Sequence, residues 1–197
     1  MSQQVYGRYV LPPLREPSRR NLVQRLDLRF PRLGRILRSW AIGLPPAWEV
    51  RRRLVVWWIR RAYEAQNRRD YLLLSVWSAS KLEMRAVLPR RSNESMLLDL
   101  DECYVGKRAI ADFMKRWDEA WTDFRFEPDE LLDLGATQLV FAHARGSARA
   151  SGIEWKQPFV HVFATEKGLL VRLEAYIEVA QALEAVGLSE ADAHADS

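Results

Sequence analysis

Apolar residues recur along the chain at two spacings, helical over most of its first two thirds and alternating or unbroken over its last. Leu22, Leu26, Leu33, Ile36, Leu37 and Trp40 stand mostly at helical intervals with arginines between them. An amphipathic helix is expected there, broken or kinked at Pro31 and Gly34. Ahead of it, residues 1–20 hold Pro12, Pro13 and Pro17 without periodicity and read as an extended, mobile tail. Gly43-Leu44-Pro45-Pro46 is turn punctuation, and Pro46 suits a helix start because an N–H there would have no partner anyway. A long helix is expected over residues 47–67, with Val50, Leu54, Trp57, Trp58, Ala62 and Ala65 on its apolar face, then a short one over 71–77. Residues 81–88 read as a strand closed by Pro89, and 90–101 as a connection of open form. Gly106-Lys107 opens a second long helix, 108–121, whose Ile110, Phe113, Met114, Trp117 and Trp121 make one stripe.

After Pro128 come three strand-like runs, 138–147, 154–164 and 169–178, separated by short turns rich in glycine and charge. Turns that short imply antiparallel hairpins. A helix over 180–186, capped by Gly187, closes the unit, and 189–197 is an acidic tail of small residues. Helices first and an antiparallel sheet afterwards is an α+β arrangement. Residues 158–164 are apolar on both parities, whereas a strand with one face in water alternates. Helices can cover one face; the other calls for a second sheet or a second subunit, so a homodimer through the outer sheet face is expected.

Composition narrows the class. With 48% hydrophobic residues and 8 Trp the chain is neither disordered, collagenous nor a coiled coil. A lone Cys103 excludes a disulfide framework, no Cys/His spacing suits zinc, and no apolar run approaches the ~18 residues of a membrane span. The net charge of +4 hides an asymmetry: residues 1–53 hold 12 Arg against 3 acidic residues, a segment of +9 joined to a remainder of −5. The chain therefore divides into a basic arm (1–46), a main domain (47–188) and the acidic tail (189–197). Such an arm can meet nucleic acid, an anionic membrane, or the acidic body of its own or a partner chain. Its Leu/Trp stripe is expected to pack on the domain behind it. With no recognised nucleic-acid motif present, nucleic acid and membrane rank last among partners. Ser18-Arg19-Arg20-Asn21-Leu22 resembles a twin-arginine start, but arginines interrupt every apolar run an export signal needs, so a cytoplasmic location is expected.

Five stretches carry a family resemblance: residues 60–70 (RRAYEAQNRRD), 104–110 (YVGKRAI), 126–135 (FEPDELLDLG), 151–154 (SGIE) and 182–188 (ALEAVGL). In order and wording they resemble the SnoaL-like (polyketide cyclase-like) branch of the nuclear-transport-factor-two-like superfamily, over about residues 48–188. That resemblance implies a cone-shaped curved antiparallel sheet wrapped around N-terminal helices and an apolar pocket, with the basic arm as an extra. It implies no single activity, because the superfamily holds isomerases, cyclases, epoxide hydrolases, dehydratases and proteins without catalysis. The positions used by its ketosteroid isomerases fall on Ala62, Val160 and Met84 or Arg85 (Glu83 adjacent), which argues against steroid isomerisation.

By the same analogy the last strand points Arg172, Glu174 and Tyr176 into the pocket, and the 138–147 strand points Leu139, Phe141, His143 and Arg145. Alternation makes each set co-facial without saying which face is inside. Glu174 is the candidate acid/base, since burial raises a carboxyl pKa into a useful range; the alternative is a salt bridge with Arg172 or Arg145. His143 is a candidate proton shuttle or a hydrogen-bonded core histidine. His161 shares the parity of Trp155, Phe159 and Phe163 and is placed on the dimer side. Arg145 and Arg172 could hold a substrate carboxylate or enolate, Tyr63 and Tyr176 offer hydroxyls, and Phe113, Trp117 and Phe141 serve as pocket wall. No phosphate-cradling loop, nucleophile elbow or HExxH occurs, so neither cofactor nor metal is called for. Two main readings result: a cofactor-independent enzyme or binder for a small apolar molecule, and a non-catalytic dimerisation module whose pocket its own rings fill. Nucleic-acid or membrane binding by the arm comes third.

Overall fold

One sheet takes up Gly7–Val10 (β1), Ser78–Val87 (β2), Cys103–Val105 (β3), Trp121–Asp133 (β4), Thr137–Ala148 (β5), Glu154–Glu166 (β6) and Leu169–Tyr176 (β7). Its order is β1-β4-β5-β6-β7-β2-β3, antiparallel throughout except where β2 runs parallel to β7. The computed structural model describes residues 7–14, 19–45, 48–87 and 103–189 of the chain. The expected connection over 90–101 and the tail from 190 lie outside them, as does part of the arm.

The expected hairpins are present, and β4 is an addition. Pro128 and two register shifts, between Thr122 and Arg125 and between Pro128 and Glu130, break its alternation, which is why period-two reading missed a strand of 13 residues. The start of the arm is also strand: β1 pairs with the end of β4, Arg8 bonds Glu130 through Nε at 2.9 Å, and Leu11 is buried in the core. The extended-tail reading holds for no more than part of residues 1–20.

The helices Glu49–Asn67 (α3) and Gly106–Ala120 (α5) lie on the concave side. The inward stripe of α3 is Arg51, Val55, Ile59 and Tyr63, at steps of four; the expected face was one residue off, and Val50 is exposed. Val55, Ile59 and Tyr63 pack on Leu131, Val140, Ala142, Ala144 and Phe159. On the convex side Val179–Ala185 (α6) packs its Ala182 and Leu183 against Leu132, Leu139, Val160, Val162 and Tyr176. Part of the second apolar face is thus covered within the chain, a task the sequence reading left to a second sheet or subunit.

The arm forms two helices, Leu22–Arg29 (α1) and Pro31–Ile42 (α2), and Tyr71–Trp77 (α4) follows α3. Asn21 caps α1 in a capping box with Gln24. Pro31 opens α2 rather than breaking it, since a first-turn N–H needs no partner. Here the sequence expectation fails: the Leu/Trp stripe does not pack inward. The buried residues of α1 are Gln24 and Asp27, and those of α2 are Gly34, Arg38 and Ala41. Polar anchors win because each finds a buried partner. Asp27 accepts from Arg38 Nη1 at 3.2 Å and from Trp77 Nε1 at 2.8 Å; Arg38 Nε donates to the Gly168 carbonyl at 3.0 Å; Arg20 grips Asp70 twice at 2.7 Å.

Gly34 is required by this docking. A Cβ there would stand 1.8 Å from Asp27 Oδ1. Gly34→Ala is expected to push Asp27 off Arg38 and Trp77 at a cost of about 1–3 kcal/mol. Urea unfolding followed at the tryptophans checks it; an unchanged midpoint contradicts this account of the arm.

Candidate functional site

Between the concave sheet and α3, α4 and α5 lies a cavity of about 400 Å3 with overwhelmingly apolar walls. Ile59 and Tyr63 of α3, Phe113 and Trp117 of α5, and Phe126 and Phe159 of the sheet contribute to it. That volume is within the roughly 300–1,000 Å3 typical of ligand sites, so the rings do not fill the cone, and the filled-pocket reading loses its premise.

Register decides which side chains enter. Residues directly opposite on paired strands share a face. His161 pairs with Val140 on β5 and Ala175 on β7, and Phe159 with Ala142, all on the helix side. Val160 and Val162 pair with Tyr176 and Glu174, on the side packed by α6. The faces are therefore the reverse of those expected: 155, 159, 161 and 163 look into the cavity and the Glu174 parity looks out.

Glu174 and Arg172 do not line the cavity; their side chains meet at 3.7 Å on the outer face, the salt-bridge alternative for Glu174. His143 is likewise outside, with Nδ1 2.6 Å from Asp129 and its side chain 41% exposed. Arg145 pairs with Glu127 at 2.7 Å on the surface, and Phe141 packs against the α6 cluster with Arg8 over its ring. Tyr176, at the strand end, borders the cavity but donates its hydroxyl to Glu174 at 3.2 Å. Of the expected site residues, Tyr63, Phe113 and Trp117 are brought together in the cavity wall.

The polar centre is a pair that the sequence reading separated. Tyr63 Oη lies 2.8 Å from His161 Nδ1, and both residues are buried. Phe159, Phe126 and Phe163 ring the imidazole at centroid distances of 4.5, 5.4 and 5.5 Å. Burial among these rings pushes the His161 pKa down to about 3, and burial, with a smaller push from Asp129, raises Tyr63 well above the ordinary phenol value. Both groups are neutral at pH 7. In the tautomer that has Tyr63 donating to Nδ1, Nε2 carries the imidazole proton and is the ring's free donor. The superfamily positions read onto Ala62 and Val160 fall one residue short of this pair. The available signal was aromatic weight: Trp155, Phe159 and Phe163 put every large ring of β6 on the parity of His161. The indole N–H of Trp117 is also buried with no acceptor among the described residues.

Among the described residues no cluster of His, Cys, Asp and Glu could hold a metal ion. A search of the curated proteins found no match. Solved structures share the fold. An NTF2-like protein of unknown function from Burkholderia pseudomallei is 23% identical, with 65% of this chain covering 93% of that one at a TM-score of 0.53. An NTF2-like protein from Burkholderia xenovorans is 20% identical, covering 66% and 92% at 0.50. TerC, co-crystallised with polyporic acid, is 17% identical, covering 79% and 98% at 0.50. The model of the SnoaL-like domain matches residues 59–173, from Ile59 on the cavity wall to Leu173 on β7, and so spans both halves of the Tyr63–His161 pair. The chain belongs to the SnoaL-like domain family.

Proposed function

We propose that the chain binds a small, mainly apolar molecule carrying an oxygen acceptor, recognised by neutral hydrogen-bond donors at the Tyr63–His161 pair and at Trp117. The observation that carries the reading is that pair, buried together in a cavity of about 400 Å3 with apolar walls. The direction of the pKa shifts selects the role. An imidazole with a pKa near 3 is a poor base at pH 7, and a phenol raised above its ordinary value is a poor acid. What the pair supplies is a fixed dipole: the phenol orients the ring, and Nε2–H stabilises negative charge on a carbonyl or enol oxygen in a site where water does not compete. The reactions served are cofactor-independent ones through an enol or enolate, such as isomerisation or ring closure. The indole N–H of Trp117, lacking an acceptor in the described residues, is a second donor for the same ligand. Glu174 has no step in this reading, its carboxylate being on the opposite sheet face. That a protein of this fold was co-crystallised with polyporic acid is consistent with a small-molecule pocket.

Native mass spectra of protein purified from its source, taken before and after denaturation, test this. A retained small molecule is expected. Tyr63→Phe should weaken its binding about fivefold, the worth of one hydrogen bond, and Glu174→Gln should leave it unchanged. Retention that survives Tyr63→Phe and His161→Phe but disappears in Glu174→Gln would sink the reading.

A further inference from the structure

The two arm helices are docked inside out. On α2 the inward stripe is Gly34, Arg38 and Ala41, while Leu33, Ile36, Leu37 and Trp40 form the opposite stripe, each more than half exposed. On α1 the polar Gln24 and Asp27 are buried, while Leu22 and Leu26 are 72% and 47% exposed; Phe30 at the junction is 52% exposed. An amphipathic helix ordinarily buries the other side. A contiguous exposed apolar face of this extent marks an interaction surface.

The exposed charges on the two helices are of one sign. Between Arg19 and Ile42 the sole acidic residue is Asp27, which is buried and held by Arg38 and Trp77. Arg25, Arg29, Arg32 and Arg35 are exposed beside the apolar stripes. The turn between β6 and β7 adds a cation: Lys167 shares an open groove with Arg35, Ile36, Ser39 and Trp40. That turn is pressed onto α2, since a Cβ on Gly168 would meet the Arg35 carbonyl at 2.2 Å and the Ser39 nitrogen at 2.8 Å. Lys167 itself pairs with Glu166 at 3.5 Å, a solvent-exposed contact of little strength.

We infer that this face of α1 and α2 docks the protein on an anionic membrane surface. Apolar side chains would enter the boundary of headgroups and acyl chains, arginines would reach the phosphates, and Trp40 would sit at the interface that indole rings favour. Charge complementarity selects this occupant over a second copy, because a symmetric pairing of the face would set the arginines of one chain against those of the other. No helix among the described residues is long and apolar enough to cross a membrane, so the contact lies on the surface. Arg38 and Ile42 of the same helix border the cavity, so one helix touches both the bound lipid surface and the ligand site.

Co-sedimentation of the full chain with vesicles of phosphatidylcholine, with and without phosphatidylglycerol, tests the inference. Sedimentation with the anionic vesicles alone, weakening as salt rises, is expected. Arg32→Gln with Arg35→Gln should weaken it about twentyfold or more, at roughly fivefold per arginine, and Ile36→Ser with Trp40→Ser should abolish it. All four side chains are exposed, so these variants should keep the wild-type melting temperature. Sedimentation velocity without lipid is the control. Absence of binding, binding untouched by the variants, a change of oligomeric state in them, or preference for an oligonucleotide over vesicles would each overturn the inference.

Discussion

Arg51→Ala is expected to destabilise the fold by about 3–5 kcal/mol, the cost of leaving one half of a buried ion pair alone. Arg51 and Asp133 are 1% and 0% exposed. Nε and Nη2 of Arg51 meet the two oxygens of Asp133 at 3.0 Å each, the bidentate geometry that guanidinium allows and ammonium does not. The same guanidinium donates to the carbonyls of Ile42 and Gly135, and Asp133 Oδ1 also accepts the Gly135 amide at 2.9 Å. One side chain thereby ties the end of α2 and the first turns of α3 to the turn after β4. At about 2–4 °C per kcal/mol for a chain of this size, the melting temperature should fall by roughly 10 °C. Arg51→Lys should recover little of it, since one ammonium cannot serve two oxygens and the carbonyls together. A variant within a degree or so of wild type would show that the cluster does not hold the arm to the domain.

Acid should unfold the protein through His161 well before the native imidazole itself takes a proton. The native pKa is near 3, against about 6.5 in an unfolded chain. Below about pH 6.5 the unfolded state binds a proton that the native state refuses, so stability declines as pH falls from there towards 3 and is flat above. The full difference is on the order of 5 kcal/mol. Asp70 adds a loss of the same sign at lower pH, because its hydrogen bonds from Arg20 hold its carboxyl below the usual range and protonation breaks them. His161→Phe isolates the imidazole. It leaves the Tyr63 hydroxyl without its acceptor and so costs about 1–3 kcal/mol near neutrality, but it should flatten the pH dependence over that window. Urea midpoints measured near pH 7 and near pH 4 give the two slopes. Parallel lines for wild type and variant would mean that His161 is solvated and charged, which removes the neutral-donor role as well.

Local physics wrote much of the fold into the residue order. The stripe of Ile110, Phe113, Met114 and Trp117 makes α5, the unbroken apolar run of β6 makes a strand covered on both faces, and the glycine turns make the hairpins. The family resemblance was legible for the same reason, being carried by short stretches at the end of α3, across the start of α5, along β4, in the turn before β6 and at the end of α6. β4 itself escaped because its two register shifts flip the parity in mid-strand, and β1 because four residues show no period.

The site was legible in its ingredients and hidden in its sidedness. Tyr63, Phe113 and Trp117 could be named from the helices, whereas His161 and Glu174 could not be assigned inside and outside. A strand that is apolar on both parities carries no preference for either face. The choice came from what each face meets: α3 and α5 bring rings and a phenol to His161, while α6 brings Ala182 and Leu183 to Val160 and Val162. The arm obeyed the same rule in reverse. Its sequence determined a basic amphipathic helical segment interrupted near Pro31, but only the partners waiting in the folded body, Trp77, Asp70 and the Gly168 carbonyl, decided that the polar stripe turns inward and the leucines face out. Periodicity is a property of neighbours in the chain and so survives in the sequence; orientation is a contest between surfaces, and it exists only once both surfaces are folded.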